Sequence, residues 1–196
     1  MDSSFDFDNA LSSQRIFKCV MDAFSHPFQQ FNINNGSKQD FVAQEKDTFI
    51  KQLCSVFLDT TVTFYVHGDD AFAGDIAELT YSRHVDIEDA DFVIIKKADD
   101  FVLWEKIFHG TLFDPHKGAT VIVALPQIAG DMKITAAGPG IDGEITCFVH
   151  PDIKRCLSET AKLGIEYPMG YELLFVAESG DICAAPRRVN AFREVV

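Results

Sequence analysis

Ile16, Phe17, Val20, Met21 and Phe24 recur at intervals of three and four residues, which is the apolar stripe of an amphipathic helix. Ser12 and Ser13 precede the stripe as candidate caps, and "SHP" at 25–27 stops it, because the residue before a proline avoids the helical region. Phe28 to Ile33 then reads as a short strand ending at the turn signal "NNGS", residues 34–37. A second helix is expected with Phe49, Ile50, Leu53, Val56 and Phe57 on one face. It leads into "TTVTFYV", 60–66, apolar on both faces like a buried strand. "HGDDAFAGDIAELTYS" supplies a turn, an aspartate cap and a helix with Phe72, Ile76 and Leu79 inward. "DFVIIKK" is the next strand, and Asp99 and Asp100 cap a helix carrying Phe101, Trp104 and Phe108.

The second half changes character. "GATVIVAL", "DMKITAA" and "EITCFV" are strand candidates in quick succession, a spacing that favours antiparallel pairing. "HPDIKRCLSETAKLG" is a helix with proline near its start and glycine near its end, and "YELLFVA" and "DICAAP" form a hairpin through "ESG". Alternating helices and strands early, with strands clustered late, predict a single α/β domain over residues 1–196, a three-layer α/β/α sandwich around a mixed sheet.

Charge narrows the function. A formal net charge of -13, spread without any basic run, opposes binding to phosphate backbones, so nucleic acid is not an expected partner. The N-terminus lacks the pattern of a targeting segment and no apolar run reaches membrane-spanning length, so the expected location is cytoplasmic, without a membrane partner. Cys19, Cys54, Cys147, Cys156 and Cys183 are odd in number and scattered through apolar segments, which fits reduced thiols.

Gly138, Gly140 and Gly143 match the spacing G-x-G-x-x-G of a dinucleotide loop. That loop needs a helix after the glycines, whose free N–H groups hold the pyrophosphate, whereas "EITCFV" reads as a strand. Pro139 also removes a donor, so the better reading is a turn between two strands.

Other candidate chemistry is sparse. His67 with Asp69 and Asp70, or His109 with His116, offers metal ligands, but no spacing brings three or four to one point, and no metal is expected. Lys117 in "PHKGAT" is a conceivable Schiff-base lysine, although a lysine in a turn is more simply solvated. No nucleophile elbow, phosphate loop or catalytic cysteine signature is present. Arg187 and Arg188 in "APRR" form the one compact basic spot, able to grip a carboxylate or a phosphate in bidentate fashion.

Taken in order, Phe17, Met21, Asp22, Ala23 and Pro27, then Gly110, Thr111, Pro115, Gly118, Ala119 and Thr120, then "GPGI" at 138–141, and finally "YPMGYELLF" and "PRR", resemble the H subunit (PhnH-type) of the bacterial carbon-phosphorus lyase core complex. The resemblance runs nearly end to end. The chain departs from it at three places: Phe28 stands where the family usually has glycine, Tyr171-Glu172 replaces an apolar-Asp pair, and Arg188-Val189 replaces two threonines.

The resemblance implies a fold like the large domain of pyridoxal-phosphate transferases, without the cofactor or its lysine. It implies a non-catalytic subunit that forms a homodimer and assembles with G, I and J subunits. In that family the complex couples phosphonate to the ribose of a purine nucleoside triphosphate, displacing the base, before a radical iron-sulfur subunit breaks the C–P bond. Cys147 and Cys156, the closest cysteines here, are nine positions apart, too far for such a cluster motif. Gly138, Pro139, Gly140, Ile141, Pro168, Gly170 and Arg187 are the expected ligand or subunit-interface residues, with no catalytic residue among them. Gly140→Val is expected to weaken assembly while leaving the domain folded. The competing classes are a stand-alone pyridoxal-phosphate transferase and a small anionic-ligand-binding protein.

Overall fold

The computed structural model describes residues 3–34, 47–97 and 102–187. Helix α1 spans Ser3–Ser25. It begins well before the expected caps, so that Ser12 and Ser13 lie exposed within it. The physical reason is that the chain has no proline or glycine ahead of Pro27, so nothing breaks the helix earlier. Ile16, Val20 and Ala23 are its buried face.

Strand β1 is only Phe31–Asn32, because Phe28 sits at φ 62 and turns the chain before a strand can start. The remainder of the "NNGS" turn falls outside the described residues. Helix α2 is Thr48–Phe57, β2 is Thr63–His67 and α3 is Asp70–Thr80. The Asp69 carboxylate caps α3, accepting the Phe72 N–H at 3.0 Å. Leu79, expected inward, is 48% exposed. The buried line of α3 runs through Phe72, Ala73, Ile76 and Thr80, which leaves Leu79 to the side.

Strand β3 is Arg83–His84 and β4 is Phe92–Ile95. Asp99, Asp100 and Phe101 lie outside the described residues, and the segment after them is a 3-10 turn, Val102–Lys106, instead of an α-helix. It buries Trp104 and leaves Phe108 partly exposed. Then follow β5 (Thr120–Leu125), β6 (Ala129–Ala136), β7 (Ile145–Val149), α4 (Pro151–Lys162), β8 (Glu172–Ala177) and β9 (Asp181–Ala185).

Seven strands form one mixed sheet in the order β1-β9-β8-β5-β4-β2-β3. Strands β3, β2, β4, β5 and β8 are mutually parallel, and β9 runs antiparallel to both β8 and β1. The hairpin expected from "ESG" is therefore present, pairing Leu173 with Ala185 and Val176 with Ile182.

The expected run of neighbouring antiparallel strands is only partly realised. β6 and β7 pair antiparallel in a separate two-stranded sheet, while β5 lies between β4 and β8. Burial separates them. Val121, Ile122 and Val123 are buried on both faces, so β5 needs a covered central position, whereas β6 alternates with exposed Asp131 and Lys133 and can cover only one side.

Helices α1, α2 and α3 pack on one face of the sheet, over Phe64, Val66, Ile94, Ile122, Leu174 and Ile182. The opposite face, with Val93, Ile95, Val121, Val123, Leu173 and Phe175, is covered by α4, the β6–β7 hairpin and the Trp104 turn. The protein is thus α/β with a mixed central sheet, and its third layer is part helix and part hairpin.

Candidate functional site

The expected site residues fall into two contacts at neighbouring places on the sheet. The first is the turn Gly138–Ile141, in which the Ile141 N–H donates to Gly138 O at 3.0 Å. A strand, β7, follows it, so the geometry is a turn between strands. Gly140 has φ 83, and a Cβ built there would lie 2.6 Å from Ser25 O and 2.7 Å from Pro27 Cδ. Gly140 therefore faces inward against the end of α1. A side chain at this position meets backbone, which corrects the expectation that Gly140→Val spares the fold.

The second contact gathers Gly170 and Arg187 with a loop that sequence reasoning left outside the site. The Arg187 Nε donates to Glu172 Oε1 at 2.6 Å and its backbone N–H donates to Glu172 Oε2 at 3.1 Å. Its Nη1 also donates to the carbonyl of Pro115. Both side chains are mostly enclosed, at 17% and 24% exposure. The Gly170 N–H donates to His109 O at 2.8 Å, and a Cβ on Gly170 would lie 3.0 Å from Arg187 Cβ. Gly118 is pressed against the carbonyl of Gly170. Pro168 follows a cis peptide bond two residues before Gly170.

One strand joins the two contacts. The Phe28 N–H, directly after Pro27, donates to Ala184 O of β9 at 3.0 Å. Arg187 follows three residues later, so its Cα lies within about 11 Å of that of Ala184. Both contacts thus bear on the same end of β9, beside the amino end of β8.

Arg187 answers the question raised by "APRR": its carboxylate partner is Glu172 of the same chain. Arg188 lies outside the described residues. Glu172 lies outside the expected site residues, and spacing alone could not assign it this role. Tyr171 beside it is buried, its hydroxyl donates to Trp104 O at 3.0 Å, and burial pushes its phenol pKa upward.

A further cluster, of which the sequence marks only Asp69, lies at the carboxyl ends of β2 and β4. The connection after β2 leads to one edge of the sheet and that after β4 leads the other way, which makes this the topological switch point where open α/β sheets commonly bind ligands. Here Lys96 Nζ bridges Asp47 Oδ2 and Asp69 Oδ2, both at 2.6 Å, and lies 4.3 Å from the Phe72 ring centroid. Burial pulls the Lys96 ammonium pKa down, but the hydrogen bonds and charges of Asp47 and Asp69 outweigh it and leave it raised. Lys96 is consequently held as a cation.

Other candidates disperse. Among the described residues, no three His, Cys, Asp or Glu side chains converge as a metal would require. His150 caps α4, with Nδ1 accepting the Asp152 N–H at 3.2 Å, and His26 Nδ1 lies 3.0 Å from Asp22 O. Lys117 is 60% exposed and pairs with Asp114 at 3.4 Å. All five thiols are free, and burial raises the pKa of Cys54, Cys156 and Cys183 to about 12, far from nucleophilic thiolates at neutral pH. No helix among the described residues is long and apolar enough to cross a membrane.

A family model described as "Bacterial phosphonate metabolism protein (PhnH)" matches residues 5–191. No curated protein matches the chain.

Proposed function

The chain belongs to the PhnH family of bacterial phosphonate metabolism proteins, and from that premise we propose that it is a non-catalytic subunit of the carbon-phosphorus lyase core complex. In this reading it forms a homodimer, assembles with the G, I and J subunits, and supports the coupling of phosphonate to a purine nucleoside triphosphate without reacting itself. The same premise extends the fold to the large domain of pyridoxal-phosphate transferases, with the cofactor lost.

The observation that carries the non-catalytic part is the use of its enclosed charges. Arg187 is consumed by Glu172 and Pro115, and Lys96 by Asp47 and Asp69, so both act as internal ties. A Schiff base needs a neutral amine, and the raised Lys96 pKa works against one.

The test is reconstitution of purine-base release from a nucleoside triphosphate and a phosphonate, with and without this chain. Release that requires G, I and J counterparts together with this chain, and none from the chain alone, supports the proposal. Base release by the chain alone, or an imine absorbance after addition of pyridoxal phosphate, would replace the subunit reading with an enzymatic one.

A further inference from the structure

The loop between Gly110 and Lys117 is pinned at its stem and apolar at its tip. The Thr111 N–H donates to Asp114 O at 3.3 Å, the Asp114 N–H donates to Thr111 Oγ1 at 3.0 Å, and the Lys117 N–H donates to Asp114 O at 3.2 Å. Arg187 holds the Pro115 carbonyl, and Gly170 holds His109. Between these ties Leu112 is 66% exposed and Phe113 is 95% exposed.

Few positions are less suited to bulk water than a phenyl ring exposed on a loop held this tightly. Apolar tips that are ordered in advance bind with little entropy cost, and aromatic anchors of this kind dominate interface energies. We propose that Leu112 and Phe113 are a docking knob that enters an apolar pocket on a different polypeptide of the assembly. This proposal rests on the subunit reading above.

Area and shape favour a different chain over a second copy. The two tip residues present roughly 300 Å² between them, against ~800 Å² per partner in a standard interface. Two convex tips meeting face to face would bury little else. A concave partner also reaches the surrounding Phe108, His116 and Lys117, which lie on the same segment and are exposed. Exposed Lys106 and Lys117 balance Glu105 and Asp114 here, so this segment is neutral in a chain of net charge -13, and an apolar contact made through it is not opposed by local charge.

The full chain is titrated against co-purified G, I and J counterparts as wild type, Leu112→Asp, Phe113→Asp and, as a control, Phe148→Asp, which alters another exposed aromatic residue on β7. Wild type and the control should bind alike, while each tip variant keeps its circular dichroism and melting temperature yet loses at least about tenfold in affinity. Tip variants that bind as well as wild type overturn the knob and leave the subunit reading standing. Tip variants that turn a dimer into monomers without changing binding to the other subunits assign the tip to a second copy and also overturn it. A wild-type chain that binds none of the counterparts removes both proposals.

Discussion

Arg187 grips Glu172 twice, through Nε at 2.6 Å and through its own backbone N–H at 3.1 Å, and the same guanidinium reaches the carbonyl of Pro115. The end of β9, the start of β8 and the 110–118 loop are thereby tied at one point. Removing the carboxylate leaves an enclosed guanidinium short of its counter-charge, so Glu172→Ala should cost about 2 kcal/mol. In a chain of this size that lowers Tm by roughly 4–8 °C. Glu172→Gln retains an acceptor and should cost about half as much. Equal losses for the two variants in thermal melts would show that charge is not what holds the loop.

Phe28 occupies a left-handed backbone position, φ 62, while its ring is buried at 7% exposure. Glycine relieves a backbone cost of about 1–2 kcal/mol at such a position. Losing a buried phenyl ring costs about 3–5 kcal/mol, so burial wins and Phe28→Gly should be destabilised by about 1–4 kcal/mol. Urea denaturation measures the difference. A variant as stable as the parent would mean that the ring contributes no more than the backbone cost it offsets, about 1–2 kcal/mol.

Gly140 and Gly143 separate backbone strain from crowding. Both have positive φ, 83 and 73, but a Cβ at Gly140 meets Ser25 O and Pro27 Cδ, whereas one at Gly143 meets nothing within 4 Å. Gly143→Ala should cost about 1–2 kcal/mol from conformation alone. Gly140→Ala adds an overpacking cost of about 1–3 kcal/mol. Equilibrium unfolding of the two variants side by side checks the ordering, and equal stabilities would contradict the close packing of the turn on α1.

The buried thiols make stability fall in alkali. Burial lifts Cys54, Cys156 and Cys183 from the ordinary 9.0 to about 12 in the folded protein. Above pH 9 the unfolded chain loses these protons while the folded chain keeps them. Their contribution is therefore fully present below about pH 9 and is lost as pH rises toward 12, at up to about 1.4 kcal/mol per pH unit for each thiol. Replacing the three cysteines by alanine should flatten the decline of unfolding free energy between pH 9 and 10. An unchanged slope would show that other groups govern it.

Much of this architecture is legible from periodicity, because the stripe of α2 and the hairpin of β8 and β9 are set by local pattern and turn chemistry. The stripe of α1 is legible only in part: Ile16 and Val20 are buried, whereas Phe17 and Met21, at 50% and 46% exposure, are turned away from the core, which takes Ala23 in their place. The place of β5 is not legible from proximity in sequence, since its neighbours are chosen by which strands need two covered faces. Leu79 has the spacing of a core residue, but the line buried by α3 passes beside it. At the site, Gly140 and Gly170 are marked in the sequence by the family motifs, and Arg187 by its basic character in an acidic chain. Glu172 and Lys96 stay silent because their partners are brought together only by the sheet. A salt bridge between residues far apart in sequence leaves no periodic trace.

Mass-resolved size exclusion of the full chain, alone and co-expressed with its G, I and J counterparts, tests the subunit reading most directly. The expected result is a dimer alone and a larger stable assembly containing this chain when the counterparts are present. A chain that elutes apart from all three would contradict the reading.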